Sequence, residues 1–469
     1  MYGEERYQEE TKKSQIGLVS TKRFDQSVLS LNLQWLKSEE KEGFRRKSQR
    51  LDLSSLLETN RDSLDTQESS FGFDWQQTQQ QALWQWQVTG LIRQIDSTQL
   101  IVDTSAQNEQ VEKDAFLQDK LLKERVLRIS RLNSALWWQP ELGLEISQNT
   151  INADTFDTIK LNTAVKELRV EPFVSARFDI ATNWQLFSKL VVEQAKLESE
   201  SNSFYETTER YWKPLLKLTH KAENGVQSTY GLQRKVEQLN FDDFVASQDS
   251  AFGREQSGNA ELKPRQAWEV SYEANFETAF GITVNTKLFW EWQRDVHEYV
   301  QFDDENWGIA NAGNADYYGG NLELNVPMDW LIDESQINVL YEYRDANFAD
   351  PLTGKRVTSD LMPHFTEIEY RKEGQWYALG AVTVLSNHVD IFYPDEQYKE
   401  QHKTTLKLYG EFQLPKDMQL NIEVADSTRG HTQFRRIVYS PYRGEALEYR
   451  FVSNEYFEPS ISASLSGQF

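Results

Sequence analysis

The chain has 469 residues, a formal net charge of -23 and no cysteine, and 13% of its residues are aromatic. Its mean hydropathy is low, at -0.68, and it has no apolar run of about 18 residues, which excludes membrane-spanning helices. The lack of cysteine excludes disulfides and thiol catalysis, and the acidic charge argues against nucleic-acid binding, which needs a basic surface. The length fits either two or three soluble domains or one large barrel.

Segments with a period of two predict strands in the first half of the chain. Between Ser27 and Lys37, leucines and Trp35 alternate with polar residues. The segment QALWQWQVTG (81–90) places tryptophans on one face and glutamines on the other. The charged run SEEKEGFRRK (38–47) predicts a loop between strands. Most of Ser105 to Lys123 is also interpreted as a surface loop, although part of it has a helical pattern.

The connections between the predicted strands are of two kinds. Long polar ones include ESESNSFYETTER (198–210) and residues 241–264. The short ones are QPE (139–141), ATN (181–183), AENG (222–225), ETAFG (277–281), PMDW (327–330), KEG (372–374), LPKDM (414–418) and PYRGE (441–445). Counted back from a descending last strand, the short turns of the second half all fall on one side. This asymmetry predicts a single large antiparallel transmembrane β-barrel with short periplasmic turns and long extracellular loops.

The end of the chain predicts the closing strand of that barrel. From Ile461 onward, non-polar or small residues alternate with Ser462, Ser464, Ser466 and Gln468, and the chain ends on Phe469. A barrel that spans a membrane leaves no unpaired sheet edge, and aromatic residues favour the membrane interface. We therefore expect Phe469 to take part in barrel closure.

Several motifs of the second half resemble those of the TonB-dependent outer-membrane receptors. GNAELKPRQAWEVSYEANF (258–276) is similar to the element in which an outer loop of that family descends into a strand. NAGNADYYGGNLELNVP (311–327) is similar to its Asn-x-Gly element, which leads into an alternating strand. RDANFADPLTGKRVTSD (344–360) and the terminal strand follow in the same order.

The resemblance implies a barrel of about 22 strands, in the bacterial outer membrane, that takes up a bulky nutrient with energy supplied through TonB. Ferric siderophores, cobalamin and oligosaccharides are the ligand classes of the family. No plug domain and no signal peptide are recognised before the first strand, so residues 1–469 are expected to be the barrel portion alone. TonB would then act only through a plug absent here. Outer-membrane lipid and lipopolysaccharide are the expected surroundings of a monomer.

Motifs for catalysis or metal binding do not stand out. The six histidines have no zinc-site spacing, and the pairs Asp242/Asp243 and Asp303/Asp304 are interpreted as acidic loop tips. No glycine loop for phosphate and no nucleophile elbow occurs. We therefore expect neither enzyme activity nor a cofactor.

The loop FDDENWGIANAGNADYY (302–318) holds the candidate ligand-binding residues. Aromatic rings beside amides suit sugar or chelate recognition, and the candidates are Trp307, Asn311, Asn314 and Tyr317. The alternative for the tyrosines is an aromatic belt at the outer interface. For the whole chain, the alternatives to a receptor barrel are a passive porin without a plug and a soluble extracellular β-rich binding protein.

Overall fold

The computed structural model describes residues 2–49, 55–77, 84–107, 110–156, 160–201, 204–249, 254–302, 306–357, 361–415, 418–428, 430–456 and 458–467. Strands β1 to β10 are Tyr2–Phe24, Ser27–Gln49, Ser55–Gln77, Gln85–Gln107, Gln110–Leu132, Glu141–Phe156, Lys160–Ala181, Trp184–Glu200, Phe204–Lys221 and Gln227–Val236. Strands β11 to β19 are Ser247–Asp249, Arg254–Gln256, Gln266–Glu277, Thr283–Arg294, His297–Gln301, Trp307–Asn311, Ala315–Pro327, Ser335–Ala349 and Arg356–Val357. Strands β20 to β28 are His364–Glu373, Tyr377–Val384, Asn387–Phe392, Glu396–His402, Thr405–Leu414, Met418–Ala425, His431–Ser440, Ala446–Tyr456 and Ser460–Ser466. No helix in these ranges is long and apolar enough to cross a membrane.

One antiparallel sheet of 20 strands, 19 of them long, forms the barrel wall in the described part of the chain, against the 22 or so strands expected. Each long strand pairs with its neighbours in the chain, so the order is β1 to β10, then β13, β14, β17, β18, β20, β21, β24, β25 and β28. The two-residue β19 adds to the end of β18. The other strands form small sheets within the connections: β11 with β12, β15 with β16, and β22-β23-β26-β27.

The two faces of the wall differ as a membrane barrel requires. On β14, Trp290 and Trp292 are 41% and 49% exposed, whereas the intervening Glu291 is only 7% exposed. Large apolar side chains are therefore outside and carboxylates inside, the reverse of a soluble protein, because the outer face contacts lipid. Trp86 on β4, in the segment predicted to carry tryptophans on one face, is likewise exposed.

The connections have the predicted asymmetry from β10 onward, whereas in the first half only two or three residues separate β4 from β5, β6 from β7 and β8 from β9 at the end predicted to carry long loops. Two residues join β7 to β8, and five residues join β13 to β14. At the opposite ends, the connections between β10 and β13, β14 and β17, β21 and β24, and β25 and β28 contain the small sheets. The turn PYRGE is an exception to the prediction. It joins β26 to β27 at the tip of a hairpin on the side of the long connections, because both strands belong to the small sheet rather than to the wall.

Three segments predicted as loops are strands. Residues 38–47 continue β2, most of 105–123 belongs to β4 and β5, and 198–210 is largely the end of β8 and the start of β9. Strands of up to 23 residues are far longer than the 9–11 residues needed to cross a bilayer. Beyond the membrane both faces of a strand meet water, so the alternation disappears while backbone pairing continues.

The strand predicted at the end of the chain is present, and its role in closing the barrel stays a prediction. β28 pairs with β25 over seven residues, with Leu465 opposite Leu420 and Ser464 opposite Asn421. Phe469, the predicted closing residue, lies outside the described residues, as do Asp303 and Asp304.

Candidate ligand site and barrel interior

Ion pairs between adjacent strands line the inner face of the wall. Lys213 on β9 pairs with Glu171 on β7 and with Glu193 on β8, at 2.6 Å from the latter. Lys235 on β10 pairs in the same way with Glu269 on β13 and with Glu291 on β14, at 2.7 Å from the latter. Each lysine thus compensates two carboxylates that are withdrawn from bulk water. The interior is polar and acidic.

The connection between β10 and β13, residues 237–265, folds onto this inner face, and we call it the inner lobe. Phe241 and Phe244, at the two ends of its 3₁₀ turn, are buried. Gln118 donates to the carbonyl of Ala246 at 2.6 Å, and Lys120 pairs with Asp242 at 3.0 Å. The lobe and strands β6 to β8 share one buried apolar cluster, formed by Ile151, Ala153, Val165, Leu197, Leu239, Phe241, Phe244, Val245 and Leu262.

The cluster explains apolar side chains that would otherwise face an aqueous interior. Val165 lies two residues from Glu167 and therefore points to the same face of β7. Leu197 on β8 has the same relation to Ala195 and Glu193. Because the inner lobe covers these positions, part of the interior is filled by the chain itself.

Asn311 joins the inner lobe to the connection between β14 and β17. Its amide oxygen accepts from the backbone of Lys263 at 2.9 Å, and its amide nitrogen donates to the carbonyls of Lys263 and Asp295 at 2.8 and 3.1 Å. Asn259 of the lobe donates in turn to the carbonyl of Ile309 at 3.0 Å. Asn314, three residues further, is exposed.

The aromatic candidates have separate surroundings. Trp307 on β16 contacts Tyr299 and Tyr393, with ring centroids 5.5 and 5.6 Å away. Tyr317 on β17 lies on the inner face beside Phe289, at 5.3 Å. Tyr318 points outward, stacks on Trp290 at 4.8 Å and donates to Asp345. The aromatic-belt interpretation therefore describes Tyr318, whereas Tyr317 faces the interior.

A cavity of about 320 Å³, which we call the aromatic pocket, lies among four long connections. Its walls carry rings, prolines and an amide and no charged side chain; they are formed by Tyr299, Val300, Gln301, Phe302, Pro351, Leu352, Pro394 and Tyr442. Tyr393 packs against Tyr299 with ring centroids 4.6 Å apart and ring planes tilted by 39°. This arrangement suits a ring-bearing ligand held by stacking and a few hydrogen bonds.

Two buried ion pairs hold the connections around the aromatic pocket together. Arg443 pairs with Asp350 and also donates to the carbonyl of Tyr393. Arg436 forms two parallel hydrogen bonds with Glu396, at 2.8 and 2.7 Å. Burial raises the pKa of Asp350, but its bonds with Arg443 and with two backbone amides outweigh this and hold the pKa below its usual value. The pair is thus ionised at neutral pH.

Sequence reasoning missed Tyr299, Tyr393, Tyr442 and Arg443. The only signal was local: Tyr393 precedes Pro394, and Tyr442 follows Pro441, so each ring is attached to a rigid turn. The described residues contain no group of three or more His, Asp or Glu that could hold a metal ion.

Comparisons with known proteins place the fold. No protein-family model matches the sequence, and no curated protein matches it. The structure is similar to the ferric yersiniabactin uptake receptor FyuA from Yersinia pestis, with a TM-score of 0.61 at 10% identity over 98% of this chain and 78% of that one. It is also similar to FpvA of P. aeruginosa bound to a heterologous pyoverdine, with a TM-score of 0.62 at 9% identity over 98% and 70% of the two chains.

The ferric citrate transporter FecA gives a TM-score of 0.61 at 9% identity, over 99% of this chain and 78% of that one. These neighbours are transport receptors of the outer membrane. At such low identity the likeness concerns the fold. The chain has the β-barrel fold of the TonB-dependent outer-membrane receptors.

Proposed function

We propose that this chain is the barrel portion of an outer-membrane receptor for energy-coupled uptake of a bulky nutrient. The observation that carries the proposal is the inside-out wall, with tryptophans exposed outward and ion-paired carboxylates inside. The fold shared with FyuA, FpvA and FecA favours a receptor over a passive porin. The outward apolar face requires lipid, which argues against a soluble binding protein. The barrel acts as a monomer, and TonB acts on it through a plug domain.

The aromatic pocket is the proposed ligand site. Its rings are anchored by the Asp350–Arg443 pair, so they are fixed before the ligand arrives and little ordering entropy is lost on binding. Trp307 supports Tyr299 and Tyr393 from one side. Asn311 holds the surrounding connections, while Asn314 and Tyr317 contact the ligand on its way inward.

A gene deletion separates the receptor from the porin. We expect the deletion strain to keep its outer-membrane permeability to nitrocefin and to lose growth on one limiting nutrient. A protonophore added to the parent strain is expected to cause the same growth defect. A fall in nitrocefin permeability without that growth defect would identify a porin. Heat-modifiable migration of the protein from outer membranes tests the barrel separately.

The ligand site is tested in the same strain. The double variant Tyr299→Ala/Tyr442→Ala is expected to raise the nutrient concentration required for growth at least tenfold. Its heat-modifiable protein should stay at parental levels. Trp330→Ala is the control, because Trp330 is 77% exposed in a short turn at the opposite end of the barrel. Equal growth of both variants would show that the ligand does not bind in the aromatic pocket.

A further inference from the structure

A groove of about 320 Å³ lies on the outer face of the wall across strands β3 to β7. Gly90 forms part of its floor, and the ring of Phe73 packs directly over this glycine: a Cβ there would lie 2.2 Å from the ring. Its outward-facing lining is apolar apart from one arginine and one glutamine, and consists of Phe71, Phe73, Ile92, Arg125, Leu127, Ile146, Gln148 and Leu168. We call it the lipid-side groove.

Two basic side chains stand at one end of this groove. Arg125 and Lys123 are two residues apart on β5, so they share the outer face at a spacing of about 7 Å. Arg125 lies opposite Ile92 and Gln148, and Lys123 lies opposite Gln94 and Thr150. Within the described part of the chain, neither side chain makes a hydrogen bond or an ion pair.

The neighbouring lysines on the same face differ in this respect. Lys166 lies 3.8 Å from Glu198, and Lys196 pairs with Glu198 at 2.7 Å and with Glu206 at 2.9 Å. In a chain of net charge -23, Lys123 and Arg125 thus lie side by side at an apolar groove without an ion-pair partner among the described residues. Their charge complements an anion, and phosphate is the anion that such pairs bind by charge-assisted hydrogen bonds.

The position of the pair along the strand selects the ligand. At the Leu132 end of β5, on the side of the short turns, the outward Arg131 lies over the rings of Trp84 and Trp86. The next outward residues, Ile129 and Leu127, are apolar, and Arg125 and Lys123 follow towards the opposite end of the strand. The pair therefore lies where the apolar belt of the wall meets the headgroup region of the outer leaflet. In a Gram-negative outer membrane the phosphorylated lipid of that leaflet is lipid A.

We propose that the lipid-side groove binds one lipid A molecule, with an acyl chain along Ile92, Leu127 and Ile146 and a phosphate on Lys123 and Arg125. The apolar wall supplies contact with the chain, and the basic pair supplies selectivity for the headgroup. This site is independent of the nutrient site, because strands β3 to β7 line it, whereas four connections of the second half of the chain enclose the aromatic pocket.

Native mass spectrometry of the detergent-purified protein, titrated with diphosphoryl lipid A, tests the site. The double variant Lys123→Gln/Arg125→Gln is expected to bind lipid A at least tenfold more weakly than the parent. Ile146→Gln, which keeps the charges and makes the groove polar, is expected to weaken binding severalfold. The control Lys287→Gln/Lys407→Gln removes the same charge from the inner face and is expected to leave binding unchanged.

The competing ligands distinguish the source of the phosphate. The parent is expected to prefer diphosphoryl lipid A at least tenfold over dephosphorylated lipid A and over phosphatidylglycerol, and inorganic phosphate at millimolar concentration should not displace it. Any one of three results would overturn the proposal. These are equal binding of phosphatidylglycerol, displacement of lipid A by inorganic phosphate, and undiminished binding of lipid A by the Lys123/Arg125 double variant.

Discussion

Leu408 and Ser464 lie on opposite faces of the same part of the wall. Leu408 is 43% exposed on the outer face of β24, whereas Ser464 lines an inner pocket beside Lys407 and Glu423. We expect Leu408→Arg to lower the free energy of unfolding by about 2–4 kcal/mol, because it places a charge in the bilayer. Ser464→Arg should change the free energy of unfolding little, because the new side chain meets water and the carboxylate of Glu423. Refolding into lipid vesicles across a urea gradient measures both, and equal losses would refute the assignment of the faces.

Arg443 neutralises a carboxylate that is almost fully buried. Arg443→Met leaves Asp350, at 2% exposure, without its partner, which costs about 3–5 kcal/mol for a buried pair. We expect the loss to appear as faster hydrogen exchange in β22 and β23, with the wall unaffected. Arg435→Met, on the exposed side of β26, is the matched control. Unchanged exchange in the Arg443 variant would mean that the pair does not hold the connections.

The same pair gives a pH dependence of known sign. Because the folded pKa of Asp350 is lowered from its usual 3.8, the pair stabilises the connections fully above about pH 4. Its contribution is lost only as the pH falls through the lowered pKa. Hydrogen exchange of β22 and β23, corrected for the intrinsic rate, should therefore be flat from pH 7 to pH 5 and rise below pH 4. A rise already at pH 6 would contradict this.

The pKa of Asp243 in the inner lobe is shifted in the opposite direction to that of Asp350. Burial raises its pKa, and the charge of Asp242 adds to this, so ionisation of Asp243 at neutral pH opposes docking of the lobe. Asp243→Asn keeps the acceptor for Asn240 and removes the charge. We expect the variant to slow hydrogen exchange of residues 237–249 at pH 7 and to match the parent in acid, where Asp243 is protonated. Asp242→Asn, which loses the exposed pair with Lys120, should show no slowing.

At the level of elements, the inner lobe decides how open the barrel is. It covers the upper inner face of β6 to β8, so part of the cross-section is occupied. Replacing residues 238–263 by a short glycine-serine linker should raise the single-channel conductance in planar bilayers severalfold. Cation preference should persist, because Glu193, Glu269 and Glu291 remain on the wall. An unchanged conductance would show that the lobe lies clear of the path.

For the whole molecule, the last strand is part of the wall and the hairpin before it is not. A chain truncated at Asn454 loses β28 and exposes the backbone of β25 to lipid, at several kcal/mol for each unpaired group. We expect no heat-modifiable barrel in outer membranes. Deletion of residues 431–456 removes a longer stretch, but from the small sheet alone, and the chain should still assemble. Assembly of the truncated chain would show that the wall does not depend on β28.

The membrane-spanning part of the fold could be predicted from the sequence because lipid on one face and water on the other impose a period of two. β2 and β28 show this directly, because the alternation alone identified both strands. Beyond the membrane that constraint ends. The charged start of β5 therefore suggested a loop or helix, while its pairing with β4 and β6 makes it a strand.

The candidate site depended on tertiary structure. Trp307 and Asn311 were identified from composition, but Asp350 and Arg443 are 93 residues apart, and Tyr299 meets Tyr393 only because two connections converge. The inner lobe is a similar case, since Val165 and Leu197 look misplaced on an inner face until Phe244 covers them. By itself the sequence determined a membrane barrel and its two faces, through a local, repeated rule. Only the tertiary structure decided which connections fill the interior and which enclose the pocket, because these contacts join distant segments and leave no period in the chain.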